Sequence, residues 1–62
     1  MAAGRDDRII FELTRIGAYL RVTAVDPVSL VEVSVVGPAT GAVEILKRTA
    51  LRKLQRAIER GA

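Results

Sequence analysis

Hydrophobic and polar residues alternate along most of the chain from Ile9 to Val36. Strict alternation predicts β-strands with one face more apolar than the other, because successive side chains of a strand point to opposite sides. Two short breaks that contain turn-forming residues divide the alternating segment. The pattern therefore predicts three strands, at residues 9–16, 19–25 and 31–36.

The first break is Gly17-Ala18. Glycine accepts the positive φ that a two-residue type II′ hairpin needs at its first central position. A hairpin of this kind places Ile16 opposite Tyr19 and Leu13 opposite Val22. The first two strands are therefore predicted to pair antiparallel.

The second break is Asp26-Pro27-Val28-Ser29. Aspartate followed by proline is typical of a type I turn, since aspartate accepts turn hydrogen bonds and proline fixes φ. A turn over these residues places Val33 opposite Ala24 and completes a three-stranded meander. In this register the residues on one apolar face are Phe11, Leu13, Leu20, Val22, Ala24, Val31, Val33 and Val35.

The hydrophobic period changes to that of an α-helix after Gly37-Pro38, which is predicted to end the third strand. We expect the helix at residues 41–60, with Thr40 as its N-cap and Gly61 as its stop. The apolar stripe of this helix contains Val43, Leu46, Ala50, Leu54 and Ala57, widened by Leu51 and Ile58. Neither a lone three-stranded sheet nor a lone helix is stable in water, so the helix is expected to pack across one sheet face. The predicted fold class is α+β, a three-stranded antiparallel β-meander followed by one C-terminal helix.

The length of the chain, 62 residues, is enough for one small domain. We place this β-β-β-α domain at residues 9–60, after a flexible polar leader at residues 1–8. No segment approaches the roughly 18 consecutive apolar residues of a membrane span. The sequence also contains no cysteine, so no disulfide framework is expected. A cytoplasmic protein without a membrane partner is the expectation.

The absence of histidine and cysteine narrows the possible chemistry. It removes the usual general base, the commonest metal ligand and the thiol nucleophile. Glu12 and Glu32 share one sheet face by strand parity, but exposed carboxylates on outer strands are expected to be solvated. We therefore predict no enzymatic activity, no catalytic or metal site, no cofactor and no small-molecule substrate.

Positive charge is concentrated in the predicted helix. Residues 42–62 carry six basic and two acidic residues, whereas the first 41 carry four basic and five acidic residues. On the outer face of the helix, Arg48, Arg52 and Arg56 form a row, flanked by Lys53 and Arg60. Such a row could bind the phosphates of a nucleic acid or an acidic protein partner, although a solvated basic face is the simpler interpretation.

Several segments resemble a family of short, uncharacterised bacterial proteins that carry a domain of unknown function. The segments are Ile10-Phe11-Glu12, Arg15-Ile16-Gly17 with Tyr19, Val25-Asp26-Pro27, Glu32 to Pro38, and Ala50-Leu51-Arg52-Lys53-Leu54. The family implies the same fold and supplies no activity and no site. Its members commonly have glycine in the second turn where this chain has Leu30, and a leucine at positive φ costs roughly 1 kcal/mol or more.

The sheet face away from the helix is the leading candidate interface. It would present five apolar residues among polar ones, namely Ile10, Ile16, Tyr19, Val25 and Val36. The two outer strands also have edges with few charges to discourage pairing with another chain. We therefore expect a small interaction module that forms a homodimer through this face or through a strand edge. Binding of nucleic acid or an acidic protein to the basic helix is the alternative.

Overall fold

The computed structural model describes residues 8–61, so the predicted leader lies outside the described residues except for Arg8. The elements are β1 (Ile10–Ile16), β2 (Tyr19–Val25), β3 (Glu32–Pro38) and the helix α1 (Val43–Glu59). The strands pair antiparallel in the order β1-β2-β3 and form one open sheet. Helix α1 packs on one face of this sheet. The predicted α+β meander with a C-terminal helix is confirmed.

The hairpin between β1 and β2 has the predicted register, with Ile16 opposite Tyr19 and Leu13 opposite Val22. Gly17 has a φ of 60°, whereas the φ of Ala18 is not positive. A positive φ at the first central position alone is characteristic of a type II′ turn. Glycine is needed at that position because a side chain there would be strained.

The turn between β2 and β3 is built around a buried carboxylate. Asp26 is fully buried, and its Oδ1 and Oδ2 accept hydrogen bonds from the Val28 amide (3.0 Å) and the Ser29 hydroxyl (3.1 Å). The Asp26 amide donates to the Val31 carbonyl at 3.0 Å, which closes the hairpin. This network fixes the predicted register of β3, with Val33 opposite Ala24.

Leu30 occupies the last position of that turn with a φ of 66°. Its amide donates to the Asp26 carbonyl at 2.8 Å, so the turn closes one residue later than a type I turn does. The left-handed region costs a residue with a side chain roughly 1–2 kcal/mol. The glycine that the family resemblance implied at this position would avoid that cost.

The connection from β3 to α1 differs from the prediction in two respects. First, β3 spans Glu32–Pro38 and not residues 31–36, because the Ala39 amide donates to the Ala18 carbonyl at 2.8 Å and extends the pairing. Second, Thr40 is not the N-cap: α1 begins at Val43, after Ala42, which makes no side-chain capping bond. At the other end Gly61, with a φ of 75°, follows the helix as predicted.

The hydrophobic core lies between α1 and the sheet and is centred on β2. Its buried residues are Leu20, Val22 and Ala24 of β2 with Ala50 and Leu54 of α1. The helix packs mainly on β2 and β3. An α-helix is about 10–12 Å across and strands are about 4.8 Å apart, so one helix covers about two strands. The inner face of β1 is therefore left partly open.

Candidate functional site

The outer edge of β1 has backbone groups that point away from the sheet. In an antiparallel ladder alternate residues bond to a given neighbour, and a two-residue hairpin makes Ile16 and Tyr19 a bonded pair. The residues of β1 that point away from β2 are therefore Phe11, Leu13 and Arg15, and we call their backbone groups the open edge. Within residues 8–61, no other element donates to or accepts from these groups.

The outer edge of β3 is different, because the helix reaches it. The same alternation turns the backbone groups of Ser34 and Val36 outward. Lys53 Nζ donates to the Ser34 carbonyl at 3.2 Å. Pro38, at the end of the strand, has no amide hydrogen to offer an added strand. We call this side of the sheet the capped edge, and lysine and proline are residues with which proteins commonly protect edges.

The inner face beside the open edge is not filled by the helix. Leu13 points to the same side of the sheet as Val22 but remains 47% exposed. Next to it lies an open groove of about 280 Å³, lined by Phe11, Glu44, Lys47, Arg48 and Leu51. The predicted placement of Leu13 on the helix side of the sheet is correct, but the helix does not bury this side chain.

A cation lies above the aromatic ring at the base of this groove. Lys47 Nζ is 5.1 Å from the centroid of the Phe11 ring and 3.9 Å from Glu44 Oε2. At this distance the ammonium is attracted to the face of the ring. The groove therefore combines apolar surface from β1 with charged groups from the first half of α1.

The outer face of the sheet is most apolar at its two ends. At one end Ile10 lies opposite Val25, and at the other Ile16 lies opposite Tyr19, which faces Pro38 in turn. Ile10, Ile16, Tyr19 and Val36 are each more than half exposed, and Val25 is half-buried.

A polar row separates these two ends. It runs from Glu12 through Thr23 to Ser34, and the Thr23 and Ser34 hydroxyls lie 2.9 Å apart in a hydrogen bond. In the neighbouring row Val36 lies opposite Arg21. The five predicted interface residues therefore do not form one continuous patch on a single chain.

The basic residues of α1 are exposed as a group. They are Arg48, Arg52, Lys53 and Arg56, with Arg60 just beyond the helix. Arg52, Lys53 and Arg56, with Thr49, line a shallow depression of about 240 Å³. The arginines form no ion pair within the described part of the chain, whereas Lys53 is turned toward the capped edge.

Acidic residues are dispersed. Glu12 and Glu32 lie on the outer face but in different rows, opposite Thr23 and Val25 respectively. Among residues 8–61, no cluster of three or more acidic, histidine or cysteine side chains could hold a metal ion. In the same range, no helix is long and apolar enough to cross a membrane.

Sequence reasoning missed the difference between the two edges. The width of a helix relative to a three-stranded sheet was the available signal, since one helix leaves about one strand uncovered. The helix lies close to β3 at Gly37, where an added Cβ would lie 2.6 Å from Leu46 Cδ2. Glycine at this position lets α1 sit low over β3.

Comparison with known proteins gives one match. The model of a family described as Domain of unknown function (DUF6898) matches residues 6–61 of the chain. No curated protein and no solved structure matches the chain. The surfaces of the fold must therefore carry the argument about function.

Proposed function

We propose that this chain, which belongs to the family Domain of unknown function (DUF6898), is a small non-catalytic interaction module that associates with itself through β1. The observation that carries this proposal is the open edge, where Leu13 is 47% exposed beside backbone groups that no other element of residues 8–61 pairs. An added strand would satisfy those groups and cover apolar surface in one step. We place the module in the bacterial cytoplasm, on the basis of the family resemblance and the cysteine-free sequence.

The edge of β1 is a better candidate than the outer face. On the outer face the apolar ends are separated by a polar row, so a flat face-to-face contact would bury Glu12 and the Thr23 hydroxyl. Burying polar groups costs free energy unless each finds a partner. Strand addition leaves this row exposed to solvent, and the apolar ends can still contribute at the edge.

The first test is the mass of the protein in solution, measured by light scattering on a sizing column at low and high salt. We expect twice the mass of the 6.7 kDa chain at both salt concentrations, because backbone pairing and apolar contact are not screened by ions. A monomer at every accessible concentration would overturn the proposal.

A matched pair of substitutions tests which edge is used. Leu13→Lys places a charge at the centre of the open edge, whereas Val36→Lys places the same charge on the strand with the capped edge. Both residues are about half exposed or more, so neither change should unfold the chain. We expect Leu13→Lys to give a folded monomer and Val36→Lys to remain a dimer, with folding followed by circular dichroism. If Val36→Lys abolishes the dimer and Leu13→Lys does not, the interface lies on β3 and the proposal for β1 is wrong.

A second candidate function is binding of nucleic acid or an acidic protein to the basic face of α1. It is favoured by the exposed arginines 48, 52 and 56, which have no ionic partner in the described part of the chain. Binding to phosphates would fall steeply as salt rises, since counterions are released from the nucleic acid. Reversal of the three charges to glutamate should abolish such binding and leave the fold intact.

A fluorescence titration with a short duplex, a single strand and an acidic peptide separates these partners. Binding that is unaffected by the charge reversal would exclude the basic face as the site. The same titration with Leu13→Lys serves as the control, because that substitution leaves the arginines in place.

A further inference from the structure

We infer that the strand added to β1 is β1 of a second copy, paired antiparallel about a two-fold axis at Leu13. This inference rests on the proposed self-association and specifies its geometry. The axis would run perpendicular to the sheet, so that two three-stranded sheets join into one of six strands with both helices on the same face. A two-fold axis of this kind closes the assembly, because each open edge is used once.

Backbone bonding limits the possible registers. Two strands bond only where outward-pointing residues of one lie opposite outward-pointing residues of the other. In β1 these residues are Phe11, Leu13 and Arg15. Leu13 can therefore face Leu13, Phe11 or Arg15 of the second copy. Pairing of Leu13 with itself overlaps all of Ile10–Ile16 in both chains, because Leu13 is the central residue of the strand.

The side chains favour this centred register. Leu13 then lies beside its equivalent on the inner face, which covers the apolar surface that α1 leaves exposed. On the outer face Ile10 lies beside Ile16 of the second copy, and Glu12 lies beside Thr14 of the second copy. Apolar pairs directly opposite each other stabilise a sheet, and no like charges are opposed here.

The centred register also joins the two apolar ends of the outer face. In each chain Ile10 continues the row that contains Val25, and Ile16 continues the row that contains Tyr19 and Pro38. When Ile10 meets Ile16 of the second copy, the Val25 row of each chain is continued by the Tyr19 row of the other. The dimer then has two such rows, related by the axis, each with Glu32 at one end. Ile10 and Val25 of one chain thus become neighbours of Ile16 and Tyr19 of the other, whereas Val36 stays in the row of Arg21, away from the interface.

The two shifted registers are worse for different reasons. If Leu13 faces Phe11 of the second copy, Glu12 lies directly opposite its own equivalent, and like charges opposed across a sheet are destabilising. If Leu13 faces Arg15 of the second copy, Glu12 faces Ile16 and fewer residues overlap. Arg15 donates through Nε to the Gly17 carbonyl at 3.2 Å, which turns its side chain toward the hairpin and away from the centre.

Single cysteines test the register, because the chain has no cysteine of its own. Residues in a bonded antiparallel pair have Cα atoms about 5.5 Å apart, within the range of a disulfide. We expect Leu13→Cys to form a disulfide-linked dimer under mild oxidation. Ile16→Cys alone should not, because the two substituted positions would lie at opposite ends of the interface.

A mixture of two variants gives an independent readout. Ile10→Cys and Ile16→Cys should each fail to link with themselves, but should link when the two proteins are mixed. This result does not depend on whether Leu13→Cys weakens the dimer. Linking is measured by mass spectrometry of the intact products before and after reduction.

The outcomes separate the register from the proposed function. If the wild-type chain is a dimer but the mixed variants do not link, the centred register is wrong and self-association stands. If the wild-type chain is a monomer, both fail. Linking of Ile16→Cys with itself would also overturn the register.

Discussion

The two outer strands of this sheet have the same length but differ in how they are protected. At β3 the helix lies overhead, Lys53 bonds to the Ser34 carbonyl, and the strand ends in Pro38. At β1 the helix does not cover Leu13, and no side chain from the described residues bonds to the outward backbone groups. Exposed edges invite pairing, and natural proteins protect edges that are not used. This difference is the basis of the proposal that β1, and not β3, is used for association.

The comparison also shows that protection of an edge follows from where a helix sits. Gly37 allows Leu46 in the first half of α1 to approach β3 closely, and Lys53 in the second half reaches the same strand at Ser34. A helix placed symmetrically over the middle strand would leave both edges equally covered. Here the core is built on β2 and β3, and β1 is attached by its pairing with β2.

The largest expected effect compares two leucines that face the same core. Leu54→Ala removes a fully buried side chain of α1 and should lower the free energy of unfolding by about 2–5 kcal/mol. Leu13→Ala removes a side chain that is already 47% exposed and should cost about 1 kcal/mol in the monomer. Urea denaturation at low protein concentration measures both. Equal costs would mean that α1 covers β1 as well as it covers the other strands.

A smaller effect is expected from the turn that joins β2 and β3. Leu30→Gly removes the strain of a left-handed residue and should raise the free energy of unfolding by up to about 1 kcal/mol. Leu30 is 79% exposed, so little packing is lost. Thermal denaturation measures the change, and Val28→Gly, at an exposed position of the same turn with ordinary φ, should instead destabilise. A loss of stability in Leu30→Gly would show that Leu30 does not keep this φ in solution.

The smallest effect on stability is expected where the capped edge is opened. Lys53→Ala removes an exposed hydrogen bond to the Ser34 carbonyl and should cost under about 1 kcal/mol. Its effect should appear in association, because a second free edge allows dimers to link into larger assemblies. Light scattering at rising protein concentration measures this, and Arg52→Ala removes a neighbouring charge without touching the edge. If the two variants behave alike, Lys53 does not protect β3.

Much of the fold follows from local features of the sequence. Gly17 and the Asp26-Pro27 turn fix both registers, and alternation then places every apolar strand residue on the correct face. The helix stripe and its glycine stop were also predictable, since they depend on periodicity and local backbone conformation. The N-cap was not: Thr40 has the right side chain, but the extension of β3 through Pro38 moves the helix start beyond it.

The candidate site was predicted less well, because it depends on the lateral position of the helix. Alternation identifies which residues share a face but not which of them a helix covers. The bond between Lys53 and Ser34 spans two elements that are far apart in the sequence. The sequence therefore predicted exposed edges at both outer strands. The structure shows that the helix side chain Lys53 bonds to the edge of β3 and leaves the edge of β1 open.

The incomplete cover over β1 also has a consequence for the order in which the domain opens. A strand held by one neighbour, with little packing above it, belongs to the least stable unit of a protein and exchanges its amide hydrogens first. β2, β3 and α1 share the core and would persist after β1 has detached. A partner strand on the open edge would close β1 in from both sides, so association and local order would increase together. On dilution, β1 would loosen before the rest of the domain.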